Sequence, residues 1–130
     1  MPAPNIDGFW INELDSVMEL KLTGLNVSGT YKTAVGDASN QQQGLDLSGI
    51  LHYPLITFFV NFSTSICTWM GIFEELKPDG GQSELVLHTV WLLGSIFQDL
   101  ANTQPTKIWN TFQVNRNTFK RIPATTLSTP

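Results

Sequence analysis

The chain has 130 residues, which suits one domain with one hydrophobic core. Its net charge is −4 with only seven Lys and Arg residues, and this balance excludes the basic surface that nucleic-acid binding requires. Hydrophobic residues make up 42% and charged residues 14%, but no apolar run approaches the ~18 residues of a membrane helix. We therefore expect neither nucleic acid nor membrane as a partner, and we expect the apolar excess in a core, a pocket or an interface.

Apolar and polar residues alternate along most of the chain. Period-two alternation is typical of half-buried strands, and no long helical period competes with it. The pattern predicts eight strands, over residues 9–14, 17–23, 25–31, 44–51, 55–62, 65–73, 84–94 and 108–121. Short turns join most of them, and Pro78-Asp79-Gly80-Gly81 is the clearest hairpin signal. The prediction is an all-β fold, an eight-stranded antiparallel up-and-down barrel that leaves no open edge and holds one small ligand.

Two longer connections interrupt the strands. Residues 33–43 are small and polar, and residues 95–107 contain Gln104-Pro105. Because loops at a barrel mouth are where ligands are held, we expect both segments beside a pocket. Residues 1–122 are predicted to form the single domain, and the Pro- and Thr-rich residues 123–130 a disordered tail.

The parity of the alternation assigns side chains to the barrel interior. If Trp10, Asn12 and Tyr31 point inward, the same parity places these residues inside: Phe58, Val60, Phe62, Cys67, Trp69, Trp91 and Asn117. An ordinary core avoids amides, because an unpaired buried amide costs about 1–3 kcal/mol. Polar groups among aromatic rings indicate a ligand pocket, although for Trp10 a plain core position is the better interpretation.

The opposite parity places an apolar set on the outside. It contains Ile66, Met70 and Ile72 on one strand and Val86, Val90 and Leu92 on another. An exposed apolar sheet face indicates a partner, and a second copy of the chain is the simplest one.

Six blocks of sequence resemble the motifs of avidins and streptavidins. Residues 10–16 (WINELDS) resemble W-x-N-x-L-G-S, and residues 29–36 (GTYKTAVG) resemble G-x-Y-x-[ST]-A-V-G. The other four blocks, residues 68–71, 89–93, 109–111 and 117–121, resemble T-[WF]-x-G, T-x-W-L-L, W-x-[ST] and [DN]-x-F-[TK]-[RK]. The blocks occur in family order and span residues 8–121. The resemblance implies a non-catalytic, high-affinity binder of biotin, with biotin as a ligand rather than a cofactor.

The resemblance also implies a role for individual residues. Asn12, Ser16 and Tyr31 match the positions that donate to the ureido oxygen of biotin, and Thr33 and Asn117 match those that accept from the ureido N–H groups. Phe62, Trp69, Trp91 and Trp109 match the aromatic walls. The remaining predicted site residues are Val35, Cys67 near the biotin sulfur, and Ser65, Gly36 and Asp37 near the valerate carboxylate.

Some residues depart from the family pattern. Phe62 stands where Trp is usual, Cys67 where Thr is usual, and Asp15 where Gly is usual. Asn117 replaces the Asp of streptavidin, and Asp37 places a negative charge near the ligand carboxylate. These departures bear on the affinity for biotin more than on the identity of the ligand.

The resemblance implies a homotetramer, a dimer of dimers, in which Trp109 covers the site of a neighbouring subunit. The alternative is that Trp109 packs on its own barrel. Family members are secreted or periplasmic, whereas the opening residues MPAPNIDGFW lack a basic and an apolar signal region, so we expect no secretory signal in this chain.

Other functions find less support in the residues. The chain has no G-x-S-x-G, no H-E-x-x-H and no phosphate loop, so we do not expect an enzyme. A lone Cys67 with His52 and His88 apart from each other predicts no metal site. The alternatives that stay open are an avidin-like barrel with weakened biotin binding, one that takes a different small apolar ligand, and a structural barrel that has lost its ligand.

Overall fold

The computed structural model describes residues 4–33, 44–95 and 112–123, and these residues form a closed antiparallel barrel of eight strands. The strands are β1 (Gly8–Asn12), β2 (Val17–Thr23), β3 (Asn26–Lys32), β4 (Leu45–His52), β5 (Leu55–Asn61), β6 (Ser65–Leu76), β7 (Glu84–Ser95) and β8 (Phe112–Ile122). Each strand pairs with the next, and β1 closes on β8 through the register Trp10↔Arg121 and Asn12↔Phe119. The predicted up-and-down barrel is confirmed.

The first strand is shorter than predicted. It ends at Asn12, because residues 13–15 form a tight three-residue loop in which Asp15 N donates to Asn12 O (3.0 Å) and Asn12 N donates to Ser16 O (3.1 Å). Asp15 has φ 65°, the left-handed conformation that completes such loops and that favours Gly. The last strand was predicted over 108–121; its described part begins at Phe112, and residues 108–111 lie outside the described residues.

The interior divides into a filled end and an open end. Trp10 is fully buried and packs on Phe73 with ring centroids 5.6 Å apart, and Tyr53 stacks on the same ring at 5.8 Å. The β1–β2 and β5–β6 turns lie at the other end, together with the last residues of β3 and β7. Trp10 therefore belongs to the core, as predicted, and the space for a ligand lies at the far end of the barrel.

The outer face of β6 and β7 is apolar and largely exposed. Met70 is 50% exposed, and Ile66, Ile72, Val90 and Leu92 are exposed to a similar degree, as predicted. Val86 points outward as predicted, but it is not exposed: its relative exposure is only 2%. Val86 pairs with Glu74 on one side and Lys120 on the other, and directly paired residues present their side chains on the same face. The long side chains of these two neighbours flank the shorter valine.

No helix in the described ranges has the length and hydropathy that crossing a membrane requires.

Candidate ligand-binding site

The open end of the barrel holds a cavity of about 240 Å³. Twelve described residues line it: Asn12, Leu14, Ser16, Tyr31, Thr33, Phe62, Ser65, Cys67, Trp69, Trp91, Leu93 and Asn117. Ten of these are residues that the sequence placed in the site. The other four predicted residues, Val35, Gly36, Asp37 and Trp109, lie outside the described residues.

Sequence reasoning missed two apolar residues of the lining, Leu14 and Leu93. Both had a signal. Leu93 lies two residues after Trp91 and so shares its inward parity, and Leu14 has the parity of Asn12, although it reaches the cavity from the β1–β2 loop rather than from a strand.

Asn12 is held by its own loop. Its Oδ1 accepts from the backbone N–H of Leu14 (2.9 Å) and from that of Ser16 (3.0 Å). Because backbone N–H groups only donate, the oxygen of the amide must face the loop, and its Nδ2 donor is left on the other side. The Asn12 side chain is 95% buried (relative exposure 5%), so this donor is oriented before any ligand arrives.

A cluster of hydroxyl groups extends the donor set. The Tyr31 hydroxyl hydrogen-bonds the side chains of Ser16 and Asn12. Burial raises the pKa of Tyr31 to about 12 despite these hydrogen bonds, so the phenol keeps its proton and can donate it. Ser16 Oγ lies 3.4 Å from Thr33 Oγ1, and all three hydroxyl residues are buried.

Asn117 presents the opposite polarity. Its Nδ2 donates to Glu13 Oε1 at 2.6 Å, and its backbone oxygen accepts from Thr89 Oγ1 at 2.8 Å. The second oxygen of Glu13 accepts from the backbone N–H of Thr118 at 2.9 Å. Partial burial raises the pKa of Glu13, but the hydrogen bonds from Asn117 and Thr118 outweigh it and hold the pKa below its ordinary 4.5. Asn117 Oδ1 is therefore available as an acceptor at the cavity.

Aromatic rings form the walls between these polar groups. Trp69 stacks on Phe58 with centroids 5.0 Å apart and lies 4.9 Å from the ring of Tyr31. Phe62 meets Tyr31 edge to face at 6.1 Å, and Trp91 is the register partner of Trp69 on the neighbouring strand. Within the described part of the chain, Trp69 Nε1 is a buried donor without a hydrogen-bond partner.

Cys67 lines the cavity as a neutral thiol. Burial raises its pKa to about 12, so the thiolate needed for nucleophilic attack does not form near neutral pH. The described ranges also contain no cluster of three His, Cys, Asp or Glu residues that could hold a metal ion. His88 lies on the outer face instead, with Nε2 2.8 Å from Glu74 Oε1.

A closed eight-stranded barrel with oriented donors, acceptors and rings at its open end defines a class of proteins that enclose one small ligand. The chain belongs to the avidin family, whose family model matches residues 2–122. Proteins of this family bind biotin as a ligand and catalyse no reaction on it.

Solved structures of several family members are similar to this chain. Xenavidin is 30% identical with a TM-score of 0.72, and the match covers 91% of this chain and 97% of xenavidin. A biotin-binding protein from chicken is 25% identical with a TM-score of 0.73, covering 91% and 96% of the two chains. Rhizavidin, solved in complex with biotin, is 20% identical with a TM-score of 0.72 over 92% and 94%, a likeness of fold. No curated protein matches the chain in sequence.

Proposed function

We propose that this chain binds one biotin molecule per subunit, with high affinity and without catalysis, in the cavity at the open end of the barrel. The observation that carries the proposal is the opposed polarity of two buried amides. Asn12 is left with a donor and Asn117 with an acceptor, and both line one cavity. The ureido group of biotin has the complementary pattern, a carbonyl oxygen flanked by two N–H groups.

In this proposal the ureido oxygen accepts from Asn12, Ser16 and Tyr31, and the two N–H groups donate to Thr33 and Asn117. All five of these side chains are already tied by hydrogen bonds to other residues. Little ordering entropy is then lost at association, which is a general route to high affinity.

The rest of the ligand would meet the aromatic walls and the rim. The fused rings of biotin pack between Phe62, Trp69 and Trp91, with its sulfur near Cys67. Its carboxylate would lie near Ser65, Gly36 and Asp37. Phe62 offers less area than the Trp usual in the family, so we expect tight binding but a faster release than a Trp at this position would allow.

Thermal unfolding with and without biotin tests this function. A ligand at 1,000 times its dissociation constant adds about 4 kcal/mol to the free energy of unfolding, and calorimetry should give one site per subunit. A fatty acid of similar length serves as the control, because it carries the tail without the ureido group. No shift and no heat with biotin would refute the proposal, and stabilisation by the fatty acid alone would favour a carrier of apolar ligands.

We also propose that the chain assembles into a homotetramer, a dimer of dimers, and acts outside the cytoplasm as a secreted or periplasmic protein. The exposed apolar face of β6 and β7 supports assembly, since such a face is unusual on a monomer. Trp109 would then cover the cavity of a neighbouring subunit.

A further inference from the structure

We propose that Glu13 is a positioning residue that sets the hydrogen-bonding polarity of the cavity, by holding the Asn117 amide with its oxygen toward the ligand. Glu13 lies in the exposed β1–β2 loop and does not line the cavity itself. The inference rests on the proposed function and assigns a role within it to a residue outside the ligand's reach.

The contacts of Glu13 determine which way the amide points. One carboxylate oxygen lies 2.6 Å from Asn117 Nδ2 and the other 2.9 Å from the backbone nitrogen of Thr118. An ionised carboxylate has acceptors only, so the NH₂ group of Asn117 must face it and Oδ1 must face away. Hydrogen bonds of this charge-assisted kind are roughly twice as strong as neutral ones.

Without Glu13 the amide has no such preference. The terminal torsion of Asn is broad and roughly two-fold, so Oδ1 and Nδ2 can exchange places with little change in shape. A flipped amide would present a donor to a ligand N–H, which is also a donor, and the hydrogen bond would be lost.

The backbone of Asn117 is held by other contacts besides the one between Glu13 and the Thr118 N–H. Its carbonyl accepts from Thr89 Oγ1 at 2.8 Å, and it is the register partner of Thr89 in the β7–β8 ladder. The neighbouring Phe119 pairs with Asn12 across the β1–β8 seam. Removing the Glu13 carboxylate should therefore free the amide to turn without displacing the strand.

Glu13→Gln tests the proposal with a side chain of the same size. Its NH₂ group can donate to Asn117 Oδ1 and so stabilise the flipped amide, and we expect the affinity for biotin to fall about 10- to 100-fold. The matched control is Glu84→Gln, an exposed glutamate on β7 away from the cavity, which should leave affinity unchanged. Thermal unfolding of each variant shows whether the barrel is intact.

Analogue ligands separate positioning from a general loss of structure. In two cyclic-carbamate analogues, each with one ureido N–H replaced by oxygen, only one lacks the N–H that faces Asn117. Glu13→Gln should weaken the binding of biotin and of the analogue that keeps the N–H facing Asn117. It should not weaken the binding of the analogue that lacks this N–H. Equal losses for biotin and both analogues, or no loss for biotin, would overturn the proposal.

A reciprocal exchange provides the rescue. In Glu13→Gln/Asn117→Asp the amide and the carboxylate change places, so residue 13 donates and residue 117 again presents an oxygen to the ligand. We expect the double variant to bind biotin more tightly than either single variant. Asn117→Asp alone brings two carboxylates into contact, and additive losses in the double variant would contradict the role of Glu13.

NMR of the ligand-free protein separates this inference from the proposed function. The side-chain NH₂ of Asn117 should exchange slowly with solvent in the parent and faster in Glu13→Gln. If the parent chain bound no biotin, the proposed function would fail while this measurement still decided the orientation of the amide. Equal exchange in the two proteins would refute the positioning by Glu13.

Discussion

The guanidinium of Arg121 lies 4.7 Å from the ring centre of Trp10, at the end of the barrel opposite the cavity. The two residues are register partners across the seam between β1 and β8. Trp10 Nε1 donates to Ile6 O at 3.1 Å, and Arg121 Nη2 donates to Asn5 O at 2.6 Å. The segment before β1 is thereby attached to both strands of the seam.

Arg121→Met should lower the free energy of unfolding by about 1 kcal/mol, because it removes a partly exposed cation–π contact and a hydrogen bond. Urea denaturation measures the loss. Lys120→Met is the control, since that neighbouring side chain is exposed and should change stability little. The affinity for biotin should be unchanged in both variants. A loss of affinity in Arg121→Met alone would show that the filled end of the barrel is energetically coupled to the cavity.

Tyr31→Phe should speed biotin release. The change removes one donor and keeps the ring that packs on Trp69, so we expect a loss of about 1–3 kcal/mol in binding free energy. The dissociation rate from labelled biotin gives the number. Tyr53→Phe, a tyrosine stacked on Phe73 at the other end, controls for loss of a phenol. An unchanged rate would mean that Tyr31 contributes packing only.

Alkaline pH should destabilise the fold through Tyr31. Its pKa rises from 10.0 unfolded to about 12 in the folded chain, because burial disfavours the phenolate. The protonated phenol thus contributes stability that is complete below pH 10 and is lost as the pH rises toward 12. Unfolding free energies of the parent and Tyr31→Phe between pH 9 and 12 isolate this effect, since Cys67, whose pKa is also raised, is present in both. Parallel curves would contradict it.

Asp15→Ala should be less stable than the parent, and Asp15→Gly should not be. The left-handed conformation at φ 65° costs an ordinary residue about 1–2 kcal/mol, less for Asp and nothing for Gly. Thermal unfolding compares the three proteins. If alanine were tolerated as well as glycine, the loop would have to relax from the conformation described above.

Met70→Glu should dissociate the proposed tetramer, because it places a charge on the apolar outer face of β6. Light scattering reports the mass of the assembly with and without biotin. Ser28→Glu, an exposed position on β3 outside this apolar face, is the matched control. An unmodified protein that is monomeric and still binds biotin tightly would refute both the assembly and the shared lid of Trp109.

The sequence was sufficient to predict the barrel, because the residues of each strand alternate between a face buried in the barrel and a face exposed to solvent. With Tyr31 taken as pointing inward, parity put Trp69 and Asn117 on the inner side as well, and the structure brings all three to one cavity. Parity could not end β1 at Asn12, since Leu14 continues the alternation through a loop. Parity also could not predict the burial of Val86. It gives the direction in which a side chain points, but not whether longer neighbouring side chains cover it.

The hydrogen bonds of the site were beyond sequence reasoning for a different reason. Glu13 and Asn117 are 104 positions apart, and no local pattern relates a loop carboxylate to a strand amide at that distance. Glu13 lies within the first family-like motif, but at a position that the motif leaves open. Only the closure of β1 on β8 shows what it contacts.

The closure of β1 on β8 also determines at which stage of synthesis and folding the chain can bind a ligand. During synthesis, Asn12 and Tyr31 leave the ribosome long before β8 has been made. The pairing of the first strand with the last closes the longest loop in the fold and therefore has the largest entropic cost of loop closure. Until the seam forms, Asn117 is not in place as an acceptor opposite these donors, and the cavity lacks a wall. Biotin binding would therefore appear only at the final step of folding, and a truncated or half-folded chain would leave free biotin untouched.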